Sequence, residues 1–165
     1  MRLPLAISAM LVASLGLNTP VMSQTSIYVS QTRAIASSNV GKFRINRRLW
    51  NRQNISNYRY TFQRNCNCLP KATAPVVIEV RNGVTTSITY ADSGQPADIE
   101  LFRKYNTIPK LFNIIKDAIA RKAYNLTVKY DPTLGYPTQI NIDYDSQIAD
   151  DEVFLTIENL QNIRH

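Results

Sequence analysis

Histidine is almost absent from this chain. The single one is His165, the last residue of the sequence, where chains commonly fray. A serine or cysteine nucleophile would therefore lack its usual general base, which all but excludes a hydrolytic triad. Glycine is scarce as well: the five residues are widely scattered and their spacing forms no phosphate-cradling loop. No cofactor is expected. Only two cysteines are present, Cys66 and Cys68, and their CxC spacing is not the CxxC of a redox motif at a helix start. Residues 42–64 contain no acid, and after residue 17 no apolar run reaches the length of a bilayer span.

The one long apolar run is Leu3–Leu17, preceded by Arg2 and followed by the breakers Asn18 and Pro20. A positive charge, an apolar stretch too short for a span and then polar residues is the order of a secretory signal peptide. Val21-Met22-Ser23 places small or modest side chains at the cleavage point, between Ser23 and Gln24. A retained anchor or a buried helix is the competing reading, and Pro4 and Gly16 inside the run weigh against it. Once cleaved, the chain is expected to be a soluble secreted or periplasmic protein with no transmembrane segment, long enough for one ordinary core. Residues 24–41 are rich in Ser, Thr, Gln and Ala without an apolar period, so they read as a flexible leader, and 42–165 as a single domain.

The net charge of +7 is unevenly spread. Residues 24–130 carry 17 Lys and Arg against five acids, whereas 131–165 carry Arg164 against seven acids. The sequence is thus a charge dipole.

Ile45, Leu49, Trp50 and Ile55 recur at helical spacing, which predicts a first helix over about 44–56. Tyr58, Tyr60 and Phe62 alternate with Arg59, Thr61 and Gln63, the period of a strand with one aromatic face. Asn82-Gly83 between two β-rich runs is the signal of a hairpin with a type I′ turn. Residues 98–104 allow a short helix. A longer one over 108–122 starts at Thr107 as N-cap with Pro109 in its first turn. Its apolar stripe is Leu111, Phe112, Ile115, Ala118 and Ile119. Strands follow over 124–130, 138–144 and 152–159, and the Tyr136–Pro137 bond is a candidate for cis geometry. The fold class is α+β: an antiparallel sheet with two helices packed on one face, in an order that admits an αβββ duplication.

The motifs Tyr58-x-Tyr60, Cys66-x-Cys68, Thr107-Ile-Pro-Lys-Leu-Phe and Tyr130-Asp-Pro-Thr-Leu-Gly-Tyr-Pro137 resemble those of a bacterial family of secreted or lipid-anchored domains of unknown function. Its YDPxxGYPxxIxID segment is matched through Ile140, Ile142 and Asp143. The likeness extends over about 45–160. It implies export from a bacterial cell and carries over no catalytic residue.

Three constellations remain. Cys66 and Cys68 would lie about 6.6 Å apart in a regular strand, near the limit for a disulfide. A bulge or turn before Leu69-Pro70 would let them pair; soft-metal binding and thiol–disulfide exchange are the other readings. Asp143, Asp145, Asp150, Asp151 and Glu152 concentrate carboxylates in one connection, either a solvated acidic turn or a hard-cation site. Arg44, Arg47, Arg48 and Arg52, with Lys42, Arg59 and Arg64, form a basic stretch interleaved with Phe43, Trp50, Tyr58 and Tyr60. That mixture suits nucleic acid in the cytoplasm. For an exported chain it suits an anionic envelope component or an acidic protein, unless it is simply a solvated face. The leading expectation is a non-enzymatic exported binding or envelope-associated module. An extracytoplasmic cation-binding or thiol-redox protein comes second, and an enzyme third.

Overall fold

The computed structural model describes residues 25–148 and 152–163, with side chains from residue 38 onward. The expected signal segment therefore lies outside the described residues. The alternating aromatics form strand β1, Tyr58–Asn65, with Tyr58, Tyr60 and Phe62 buried and Arg59 and Gln63 exposed. Strands β2, Val76–Arg81, and β3, Val84–Tyr90, close the expected hairpin. Asn82 and Gly83 have φ of 50° and 77°, the left-handed pair that a type I′ turn requires.

Helix α4, Ile108–Ala120, is capped by Thr107, whose hydroxyl accepts the Lys110 N–H at 3.3 Å. It buries Leu111, Phe112, Ile115 and Ala118. Two short helices precede it: α2, Pro70–Thr73, and α3, Ile99–Phe102, the latter capped by Asp98. After α4 come β4, Asn125–Tyr130, β5, Pro137–Asp143, and β6, Val153–Asn162. The last strand runs three residues beyond the expected end. Its pairing with β1 resumes after a register shift and carries Asn162 opposite Tyr58.

The first helix corrects the sequence reading. Helix α1 spans Thr25–Arg52, so the backbone of most of the expected flexible leader is helical, and the helix stops four residues short of position 56. Its C-terminal half docks on the body, and a docked helix extends outward at one hydrogen bond per added residue without needing an apolar period. The docking stripe is also shifted. Phe43 and Trp50 face inward and half-buried Leu49 lies against Gly135, while Ile45, assigned to the stripe from sequence, is 67 % exposed.

All six strands form one antiparallel sheet in the order β3-β2-β1-β6-β5-β4. The order helix, three strands, helix, three strands is present, and β1 and β6 make the seam between the halves. One face of the sheet meets the helices: α1 packs on α4 and β4, and α4 on β5. Val76, Ile78, Ile140, Ile142, Leu155 and Ile157 fill that layer with the aromatics of β1. The other side of the strands carries polar residues such as Thr61, Gln63, Gln139, Asn141 and Thr156. Among the described residues, no helix is long and apolar enough to cross a membrane.

Candidate functional site

The most distinctive sequence motifs are consumed by the fold. In β1, the Tyr58 hydroxyl accepts the Ile108 N–H at 3.1 Å, and the Tyr60 hydroxyl donates to the Tyr105 carbonyl at 2.9 Å. The paired tyrosines thus fix the entry into α4 and satisfy backbone groups that would otherwise be buried unpaired. In the Tyr130–Pro137 segment, the Asp131 carboxylate accepts the N–H groups of Thr133 and Leu134 at 2.9 and 2.6 Å. The Asp131 and Gly135 N–H groups close the loop on the Tyr136 and Asp131 carbonyls. The Tyr136–Pro137 bond is trans, against the cis expectation; Gly135, at φ 80°, turns the chain instead. A Cβ placed on Gly135 would stand 2.6 Å from the Asn46 carbonyl oxygen and 2.9 Å from Leu49 Cβ. This loop is a seat for α1.

Burial pushes the Tyr58 phenol up to about 12, and the Ile108 N–H hydrogen bond pulls it partly back. Tyr60 is held well above its ordinary value by burial and by the neighbouring Tyr58. A raised tyrosine means that the fold holds the neutral form, so its contribution is complete below pH 10 and is lost as pH rises through about 12. Alkaline unfolding, followed by circular dichroism with phenolate absorbance, is therefore expected between these values. Tyr58→Phe flattens that fall. At neutral pH the same change costs about 1–2 kcal/mol, because the Ile108 N–H loses its acceptor.

The basic stretch divides into engaged and unengaged members. Arg59 donates from Nε to Gln161 Oε1 at 2.9 Å, Arg64 lies over the Tyr105 ring at 5.5 Å, and Arg47 over Phe43 at 5.7 Å. Trp50, which the sequence placed both in the apolar stripe and among the patch residues, is 5 % exposed with its ring edge-on to Tyr58 and Tyr136, so it serves the stripe and not the patch. The residues left are Lys42, Arg44, Arg48 and Arg52, all exposed on α1. Arg44, Arg48 and Arg52 stand one turn apart in a single row beside exposed Ile45. Helix α1 contains no acid. The salt bridges among the described residues are Arg81–Glu79, Arg103–Glu100 and Arg121–Asp117, and none of them involves Lys42, Arg44, Arg48 or Arg52.

Cys66 and Cys68 are joined as a disulfide just beyond the end of β1, with Cα atoms 5.3 Å apart. The Cys68 N–H donates to the Cys66 carbonyl at 2.9 Å, which supplies the tight turn that a regular strand lacks. The ring encloses only Asn67, so the chain-entropy gain is about 1.6 kcal/mol, against about 4.7 for a loop of about 100 residues. The bond staples no two elements together. Cys68 and Asn67 are exposed, and Leu69 is 75 % exposed.

The acidic connection is brought together only in part. Asp150 and Asp151 lie outside the described residues. Asp145 is exposed and accepts the Gln147 N–H at 3.0 Å within its own turn, Glu152 is exposed, and Asp143 ends β5 half-buried. Among the described residues, no group of three or more His, Cys, Asp or Glu is placed to hold a metal ion. Sequence reading missed the contact of the Gly135 loop on α1. The glycine inside YDPxxGYP was its only local signal.

A model of a family of unknown function, DUF6174, matches residues 42–162, and the chain belongs to that family. The match begins where the docked, basic half of α1 begins. No curated protein and no solved structure gives a significant match.

Proposed function

From membership of a family that brings no assigned chemistry, we propose that the chain is an exported, non-catalytic binding module that docks through α1 on an anionic component of the cell envelope. The observation that supports this is the row Arg44–Arg48–Arg52, with Lys42 beside it, exposed on an acid-free helix and without ion pairs among the described residues. Like charges one turn apart repel by about 0.2–0.5 kcal/mol per pair. Anionic groups laid along the row would relieve that repulsion and gain charge-assisted hydrogen bonds from each guanidinium. The chemistry recognised is a dense array of phosphate or carboxylate groups.

The test is co-sedimentation of the purified protein with phosphatidylglycerol vesicles, phosphatidylcholine vesicles as the uncharged control, and soluble polyphosphate as a competing polymer. Binding to phosphatidylglycerol that weakens with salt is expected. At about 1 kcal/mol per basic residue near an anionic surface, R44Q/R48Q/R52Q loses about 3 kcal/mol, on the order of 100-fold in Kd, with its fold intact. Competition by polyphosphate places the specificity in the anionic array, and its absence places it in the bilayer. Equal affinity of variant and parent for every anionic target overturns the reading.

A further inference from the structure

The Cys66–Cys68 disulfide has no evident structural duty. It lies within one loop and joins residues already held close by the Cys68–Cys66 backbone hydrogen bond. Its flanks are anchored without it. On one side Asn65 pairs with Phe154 in the sheet. On the other, Ala72 is buried and the Tyr90 hydroxyl donates to the Lys71 carbonyl at 3.4 Å. The loop itself is open to approach: Cys66 is half-buried, whereas Asn67, Cys68, Leu69 and Pro70 are exposed. An exposed disulfide whose flanks are held by other contacts is of the kind that exchanges rather than the kind that only braces a fold.

We propose that Cys66–Cys68 is an exchangeable pair that passes its disulfide to a dithiol of an exported polypeptide. A thiolate of that polypeptide attacks Sγ of Cys68, the exposed residue of the pair, the Sγ–Sγ bond breaks, and Cys66 leaves as a thiolate that takes a proton from water. The polypeptide's second thiolate then attacks its own sulfur in the mixed disulfide, and Cys68 leaves as a thiolate. The polypeptide loses two electrons and two protons and gains a disulfide; the pair becomes a dithiol. The anchored flanks keep the two thiols adjacent, so an external disulfide such as oxidised glutathione closes them again and is itself reduced. Leu69 offers an apolar contact for the polypeptide beside the attacked sulfur. This proposal is independent of the ligand of α1.

The experiment mixes the purified oxidised protein with a reduced peptide carrying two cysteines and follows both by acid quench and mass spectrometry. Oxidation of the peptide one for one with reduction of Cys66–Cys68 is expected, at least about tenfold faster than with the C66S/C68S variant. With the peptide supplied instead in its oxidised form, the Cys68 thiolate of C66S should attack the peptide disulfide, release one peptide thiolate and accumulate as a mixed disulfide more readily than the Cys66 thiolate of C68S. The C66S/C68S variant should keep its circular dichroism spectrum with Tm lower by no more than about 6 °C. A pair that stays oxidised under excess peptide dithiol overturns the proposal, as does a peptide oxidised no faster than with the double variant. Loss of the fold in C66S/C68S also overturns it, since the bond would then be structural.

Discussion

Replacement of Gly135 by alanine should lower stability by about 2–5 kcal/mol, read as a fall in Tm of roughly 6–15 °C. Two costs combine. At φ 80° the backbone is left-handed, a region that disfavours any side chain by about 1–2 kcal/mol. The added Cβ would also meet the Asn46 carbonyl oxygen at 2.6 Å and Leu49 Cβ at 2.9 Å. Helix backbone cannot yield as a flexible side-chain tip does, so α1 must lift from the loop, at an overpacking cost of about 1–3 kcal/mol. Gly83 provides the control. It is also left-handed, at φ 77°, but no atom lies within 4 Å of its would-be Cβ. Gly83→Ala should therefore show the conformational cost alone. Equal losses in the two variants would mean that α1 is not seated on this loop.

Trp50→Ala should be at least as damaging, at about 3–5 kcal/mol. The indole is the largest apolar group that α1 contributes, and it is wedged between the Tyr58 ring at 5.5 Å and the Tyr136 ring at 6.2 Å. Its removal leaves a cavity where the helix, the aromatic strand and the Gly135 loop meet, so urea unfolding followed by circular dichroism should shift strongly to lower denaturant. The result separates two roles for the residue. A variant with unchanged stability and lost affinity for anionic vesicles would make Trp50 part of a binding surface, the role its place in the basic stretch suggests. A large stability loss makes it an anchor of the helix that displays that surface.

How much of this was legible follows from how local each signal is. Asn82-Gly83 states its conformation within two residues, and Thr107 states its cap within four, so both were readable. Helix α2 is a four-residue element started by Pro70 and was too short to leave a period. The start of α1 carries no apolar stripe, because its helicity is propagated from a half that docks further along. Trp50 was legible in the apolar stripe, but Phe43, seven residues before it on the same helix face, was left out of that stripe and the exposed Ile45 was put in; the arginines between Phe43 and Trp50 masked the true spacing. The seat under α1 was the least legible feature, since Gly135 and Asn46 lie far apart in the chain. The unpartnered row Arg44–Arg48–Arg52 was visible as charge, but its freedom was not. Only the structure shows Arg47, Arg59 and Arg64 already engaged.

The binding face is tested most directly by mapping backbone amide shifts of the 15N-labelled protein during titration with soluble polyphosphate. The expected result is a set of shifts confined to residues 41–53 of α1 and its C-terminal turn, saturating with added polymer and reversed by salt. Shifts centred on the polar face of the sheet around Thr61, Gln139 and Thr156, or no shifts at all at low salt, would contradict the assignment of α1 as the docking surface.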